Sequence, residues 1–182
     1  MVEQRPPNPL VGVRFPHRPL VKTEITIEPY LESDRAAIIE GNIDLQETER
    51  AISDLCLPGI EIGEKYLDHL LKLNAENSGT LLVAKIGDKV VGFIACRIEH
   101  DESVTTIDEA NTFGYISDAW THPDYRKQGI FKKLSETAEN HFKQFPEIKI
   151  IKLNVLAKNK PAIVAYERSE YEIQELTLMK RL

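Results

Sequence analysis

Apolar and polar positions alternate from Thr23 to Tyr30, with Ile25 and Ile27 on one face, and predict a first strand. Ser33-Asp34 offers a cap for a helix through about Asn42, and Asp44 or Thr48 opens a second helical stretch toward Leu55, stopped by Leu57-Pro58-Gly59. A third helix is expected from about Glu61 to Ala75, where Ile62, Tyr66, Leu67, Leu70, Leu71 and Leu73 form a wide apolar face. Thr80 to Lys85 and Val90 to Ile98 flank Gly87-Asp88 and predict a hairpin. Glu99 to Asn111 is acidic and aperiodic, and reads as a mobile loop.

The next stretch, YISDAWTHPDYRKQGIF from Tyr115 to Phe131, organises the rest. Tyr115 to Thr121 has the residues of a strand, and His122-Pro123-Asp124 breaks it because Pro has no N–H for a ladder. Arg126-Lys127-Gln128-Gly129 then opens a helix whose apolar positions Ile130, Phe131, Leu134, Ala138, Phe142 and Phe145 recur at helical spacing. Ile148 to Val155 reads as a buried strand. Asn159 caps a helix with Pro161 in its first turn and Ala162, Ile163, Ala165 and Tyr166 along it, and Tyr171 to Met179 reads as a last strand. Strands and helices in this order specify an α/β fold with a mixed sheet. Residues 1–22 are Pro-rich and predict an extended arm, which either docks on the body or a partner subunit in a homodimer, or hangs free; residues 23–182 form a single domain.

Charge and cysteines narrow the function. A net charge of −6 disfavours a nucleic-acid surface and favours basic partners. The two cysteines, Cys56 and Cys96, show no metal spacing and no disulfide framework, so no metal is expected, and Cys96 reads as a buried thiol. No apolar run reaches membrane-spanning length and the N-terminus lacks the apolar core of a signal peptide, so a cytoplasmic location without membrane contact is expected.

A strand, a turn and a helix opening on two basic residues and a glycine make a site for an anion. The first N–H groups of a helix lack internal partners and carry partial positive charge, and Arg126 and Lys127 add to it. The segment Arg126-Lys127-Gln128-Gly129-Ile130-Phe131 resembles the acyl-CoA-binding signature of the GNAT N-acetyltransferase superfamily, and LNVLAKNKPAIVAYERSEY resembles a second block of that family at the expected distance; the resemblance runs from about Ile25 to the C-terminus. It implies a mixed, mostly antiparallel central sheet flanked by helices, with splayed central strands that bind acyl-CoA.

The resemblance also implies roles. Acetyl-CoA would lie beside the central strand, its pantetheine on the backbone of Ala119, Trp120 and Thr121 and its pyrophosphate on the amides of Lys127, Gln128, Gly129, Ile130 and Phe131, with Arg126 adding charge and Asn159 touching the cofactor. Phe131 stands where the family has Gly or Ala; it either points into the core, leaving the amides free, or crowds the pyrophosphate. Tyr166 matches the family tyrosine of the pattern Asn159, Ala162, Tyr166, a general acid toward the departing thiolate; the Gly-Phe that follows in the family is Glu170-Tyr171 here. Asp118 matches an acidic position of the central strand, as general base or as a structural carboxylate, and His122 and His100 are further candidates because imidazole suits proton transfer near neutral pH. Glu61, Glu64 and Asp68 either meet a cationic substrate or form a solvated face. The expected activity is transfer of acetyl from acetyl-CoA to a primary amine, of a cationic small molecule such as an aminoglycoside or polyamine, or else of a protein N-terminus or lysine; a CoA-binding module without turnover is the other alternative.

Overall fold

The structure, a computed structural model, describes residues 24–182. The expected N-terminal arm lies outside them. Five strands form one sheet in the order β1 (Thr26–Pro29), β2 (Thr80–Ile86), β3 (Lys89–His100), β4 (Thr112–Thr121) and β5 (Ile151–Leu153). Every pairing is antiparallel except β4 with β5, which is parallel. Helices α1 (Arg35–Arg50) and α2 (Gly59–Glu76) precede β2, the short α3 (Asp108–Asn111) precedes β4, α4 (Ile130–Phe142) follows it, and α5 (Lys160–Glu167) follows β5.

Two apolar clusters sandwich the sheet. Ile38 of α1 and Leu67 and Leu70 of α2 pack with Val83, Phe93, Ala95 and Trp120. Ile130, Leu134, Ala138 and Phe142 of α4 pack with Leu82, Val91, Ile94 and Ile116 on the other. The alternation of β2 and β3 thus sorts each strand's side chains between two helical layers, as a doubly covered sheet requires. Cys96 is fully buried in the α4 layer, and burial pushes its thiol up to about 12, which leaves it unreactive. No helix of the described residues is long and apolar enough to cross a membrane.

Three expectations are corrected. The two helical stretches after Ser33 are one helix, α1. Gly41 and Asn42 do not end it: a Cβ at Gly41 would stand 2.7 Å from the Phe93 ring and 2.9 Å from that of Trp120, so this glycine lets the helix lie close on the sheet. The loop before the central strand is shorter than expected, because β3 runs on to His100 in register with Thr112. The last strand is absent. Residues 171–182 have no regular structure, and Ile173, Leu176, Leu178 and Met179 stay exposed. A period-two pattern sets which face a strand would present, but a ladder must be there to receive it. Here Arg181 pairs instead with Asp54, in the segment between α1 and α2.

Candidate active site

The middle of β4 is irregular in two ways, and both shape the site. Asp118 pairs with Ala95 and Ile116 with Cys96, so Ser117 is an extra residue, a bulge. Without it, Asp118 would share the α4 side with Ile116; with it, Asp118 turns to the α1–α2 side, beside Trp120. The β4–β5 ladder, moreover, covers only Gly114 to Ile116 against Ile151 to Leu153. Beyond it the strands part, and Ser117 to Thr121 keep an edge with no strand partner among the described residues. An unpaired strand edge of this kind receives the amides of an extended ligand.

Past the end of β4 a short 3-10 turn, Pro123–Tyr125, leads to the start of α4. Lys127 has φ 62 and Gly129, the residue before the helix, has φ 80. Left-handed residues in such a turn direct successive N–H groups toward one concavity. The amides from Lys127 to Phe131 find no acceptor among the described residues. No atom lies within 4 Å of a Cβ built on Gly129, so the approach to these amides is open. The helix therefore begins at Ile130, and the Arg-Lys-Gln-Gly run is its entry loop. Unpaired amides, an open glycine and a free strand edge next to them suit a pyrophosphate followed by an extended, amide-bearing chain, and so fit acetyl-CoA.

Side chains around this loop are placed individually. Arg126 is half-exposed; its Nε donates to the Thr121 carbonyl at 3.1 Å, and its Nη2 lies 3.6 Å from Oδ2 of Asp44. The same Asp44 oxygen accepts from Nε1 of Trp120 at 2.7 Å, so one α1 carboxylate ties down both the end of β4 and the entry loop. Trp120 and Ile130 are core side chains and offer only their backbone to a ligand. Gln128 donates to the Asp124 carbonyl at 3.4 Å, while Lys127 is exposed. Phe131 is half-buried: it packs on the α4-side core and meets the Tyr166 ring edge to face at 5.4 Å.

Asp118 is 7% exposed and meets one hydroxyl, Tyr66 Oη of α2, which lies 2.8 Å from both carboxyl oxygens. Burial raises the pKa of the Asp118 carboxyl, and the Tyr66 hydrogen bond, the neighbouring Ser117 side chain and the charge of Arg97 pull it back only in part. Burial and the Asp118 charge beside it raise that of the Tyr66 phenol as well. Glu49, near the end of α1, is half-buried, and its carboxyl too is pushed up, by burial and then by Asp118.

Tyr166 lies on α5, which Asn159 caps through Oδ1, accepting from the Ala162 amide at 3.3 Å. That bond occupies the Asn159 side-chain oxygen in the fold. Tyr166 packs between Phe131 and Tyr171, whose ring is 6.0 Å away, and its hydroxyl has no hydrogen-bond partner among the described residues. Burial, then the fields of Tyr171, Asp118 and Glu49, push its phenol up to about 12. Asp118, Glu49 and Tyr166 thus share one electrostatic neighbourhood.

The other candidates lie elsewhere. His122 Nδ1 accepts from the Asp124 amide at 3.2 Å, holding the turn, and His100 Nδ1 meets Thr112 Oγ1 at 2.8 Å at the far end of β3. Glu64 and Asp68 of α2 are exposed and face Arg35 of α1, and Glu61 of α2 is exposed too. Sequence reasoning passed over Tyr66, Asp44 and Glu49. Tyr66 sits in the apolar stripe of α2 and looks like core, Asp44 looked like a helix start, and Glu49 is one acid among several.

The model of the acetyltransferase (GNAT) family matches residues 47–171. No curated protein matches the sequence. Among solved structures, the chain resembles a GCN5-related N-acetyltransferase from Ralstonia eutropha JMP134 (TM-score 0.68, 17% identity, 87% of this chain and 99% of that one). It resembles the apo aminoglycoside 6'-N-acetyltransferase AAC(6')-IG from Acinetobacter haemolyticus (TM-score 0.64, 16% identity, 86% and 97%). It also resembles aminoglycoside N-acetyltransferase AAC(6')-Iy in complex with CoA (TM-score 0.67, 12% identity, 87% and 95%). At these identities the structures speak for the fold, and the family model carries the assignment. With a mostly antiparallel sheet that parts at β4 and β5 and a family match over more than half its length, the chain belongs to the GNAT acetyltransferase family.

Proposed function

We propose that the protein transfers an acetyl group from acetyl-CoA to the primary amine of a cationic small molecule. The observation that carries this reading is the free edge of β4 leading directly into the unpaired amides from Lys127 to Phe131. The backbone of Ala119, Trp120 and Thr121 would hold the pantetheine arm, and the amides of Lys127, Gln128, Gly129, Ile130 and Phe131 would hold the pyrophosphate. Arg126 would turn from Asp44 to add its charge. Bound there, acetyl-CoA supplies an activated thioester, so much of the rate comes from holding the amine against it.

This chain's residues then manage protons. A primary ammonium must become a neutral amine before it attacks, and Asp118 accepts that proton on a carboxyl oxygen. Tyr166 directs its unpartnered hydroxyl to the leaving sulfur. Two half-to-fully buried carboxylates, Glu49 and Asp118, on the acceptor side and a net charge of −6 support a cationic acceptor. Similar structures bound to CoA and to a bisubstrate analogue of an aminoglycoside support the same class. The test is thiol release from acetyl-CoA across a panel of aminoglycosides, polyamines and peptides with free amines. Turnover with cationic small molecules is expected; release with peptides alone would move the acceptor to proteins, and release with none would refute the reading.

A further inference from the structure

Asp118 has no salt-bridge partner among the described residues. Arg97, the cation nearest to it in effect, is engaged with Glu99 and lies over the Tyr115 ring at 5.1 Å. Ser117 directs its hydroxyl to the Ala95 carbonyl at 3.5 Å. The Asp118 carboxyl therefore depends on Tyr66 alone for a short hydrogen bond, and that hydroxyl lies at the same 2.8 Å from both oxygens.

The sequence builds this contact from both sides. On α2, Gly59 and Gly63 let the helix press against Ile43 of α1: a Cβ at Gly63 would stand 2.9 Å from Ile43 Cγ1. Tyr66 follows Gly63 by one turn, flanked by the buried Leu67 and Leu70, which lock its backbone in the core. On β4, the Ser117 bulge turns Asp118 to meet it. Neither half is useful without the other.

We propose that Tyr66 is the positioning residue of the proton acceptor: it fixes the plane of the Asp118 carboxyl and serves it in both protonation states. A hydroxyl carries one proton and free lone pairs. It donates to the carboxylate, and once Asp118 has taken a proton from the ammonium, the same hydroxyl donates to one carboxyl oxygen and accepts from the protonated other. One N–H bond breaks and one O–H bond forms, and Asp118 then returns its proton to solvent. No side chain has to rotate during the transfer, so the partner is in place before and after it. The charged and titratable groups facing the pair are Glu49 from α1, Arg97 from β3, Tyr115 from β4 and Tyr166 from α5. The inference rests on the acetyltransferase reading for its rate consequences, though not for its titration.

The experiment pairs an activity-free and an activity readout on the full chain. The Asp118 carboxyl is followed by carbon-13 NMR, and the pH profile of kcat/KM is recorded with a reactive amine, for wild type, Tyr66→Phe, Asp118→Asn and the double variant. Tyr66→Phe keeps the ring, so the KM for acetyl-CoA should hold, and Tm should hold near pH 4 but fall at pH 7, where the carboxylate loses its partner. Its Asp118 titration should move to higher pH, the acid limb of kcat/KM should follow it, and kcat/KM at neutral pH should fall about ten- to a hundredfold. Asp118→Asn should remove that limb, and the double variant should lose no more than Asp118→Asn. As a second variant that keeps the shape, 3,5-difluorotyrosine at position 66 is a stronger donor to the carboxylate and should move the titration the opposite way. An Asp118 titration unmoved by both changes overturns the proposal. If wild type transfers no acetyl group, the functional reading fails, while the NMR titration still decides the role of Tyr66.

Discussion

Gly129 has two separate reasons to be glycine, and substitution can tell them apart. Its φ of 80 lies in the left-handed region, while nothing stands within 4 Å of an added Cβ. The fold therefore objects to a side chain only through backbone strain, which for a residue with Cβ is about 1–2 kcal/mol. For a domain of this size that corresponds to a Tm drop of roughly 2–8 °C in Gly129→Ala. Asparagine adopts the left-handed conformation with less strain, so Gly129→Asn should recover most of the loss. Cofactor affinity should behave differently. If the open space above Gly129 is where a phosphate meets the amides, any Cβ obstructs it. The loss of one charge-assisted hydrogen bond, about 1.5–3 kcal/mol, would raise the Kd for CoA by roughly ten- to a hundredfold in both variants. Calorimetric titration with CoA and a melting scan measure the two effects on the same samples. Stability and affinity restored together in Gly129→Asn would refute the close-approach argument, and an unchanged Tm in Gly129→Ala would refute the strained turn.

Asp118→Asn should melt higher than wild type at pH 7. The folded carboxyl has a raised pKa, so its contribution to stability is fully present below the unfolded value and is lost as pH rises through the folded one. A neutral amide escapes that loss, and the Tm gain should vanish as pH falls toward 4. Arg126→Ala should raise the Kd for CoA about tenfold, with a weaker salt dependence than wild type, since the residue carries charge but few fixed contacts. Phe131→Ala should cost roughly 1–3 kcal/mol, less than a fully buried aromatic, and should also lower kcat because the Tyr166 ring loses its edge contact; unchanged stability with tighter CoA would place the ring in the phosphate site instead. Tyr166→Phe should leave Tm and CoA affinity intact and lower kcat about a hundredfold; an unchanged kcat where chemistry limits the rate would make Tyr166 a packing residue.

Local chemistry in the chain points to the strand–turn–helix at β4 and α4, because proline, glycine and helical spacing act over a few residues. The hairpin at Gly87 and the Asn159 cap are legible for the same reason. What the chain does not display locally is pairing. Whether Tyr171 to Met179 forms a strand depends on an open ladder, and the three residues of β5 do not provide one for it. Gly41 looks like a helix breaker until Phe93 and Trp120 arrive from the sheet. Tyr66 shows the limit most clearly. Its helical position marks it as buried, but only the Ser117 bulge, a feature of the β3–β4 register, places a carboxylate over its hydroxyl.

The two groups proposed to handle protons, Asp118 and Tyr166, differ in what they can give. Burial raises the Asp118 carboxyl above its ordinary value, and the Tyr66 hydrogen bond opposes that rise. On the proposed reading it takes a proton from an ammonium and later releases it. Tyr166 is different. Burial, Tyr171 and the nearby carboxylates push its phenol up to about 12, so it holds its proton tightly. On the proposed reading, the Tyr166 hydroxyl would then act by donating a hydrogen bond as charge builds on the sulfur, with the final proton drawn from solvent. Moderately acidic tyrosine analogues at position 166 should then speed the step by strengthening that bond. The negative fields of Asp118 and Glu49 oppose the same effect, and a cationic acceptor seated between them would relieve it, so the amine itself would improve the donor that serves its partner's departure.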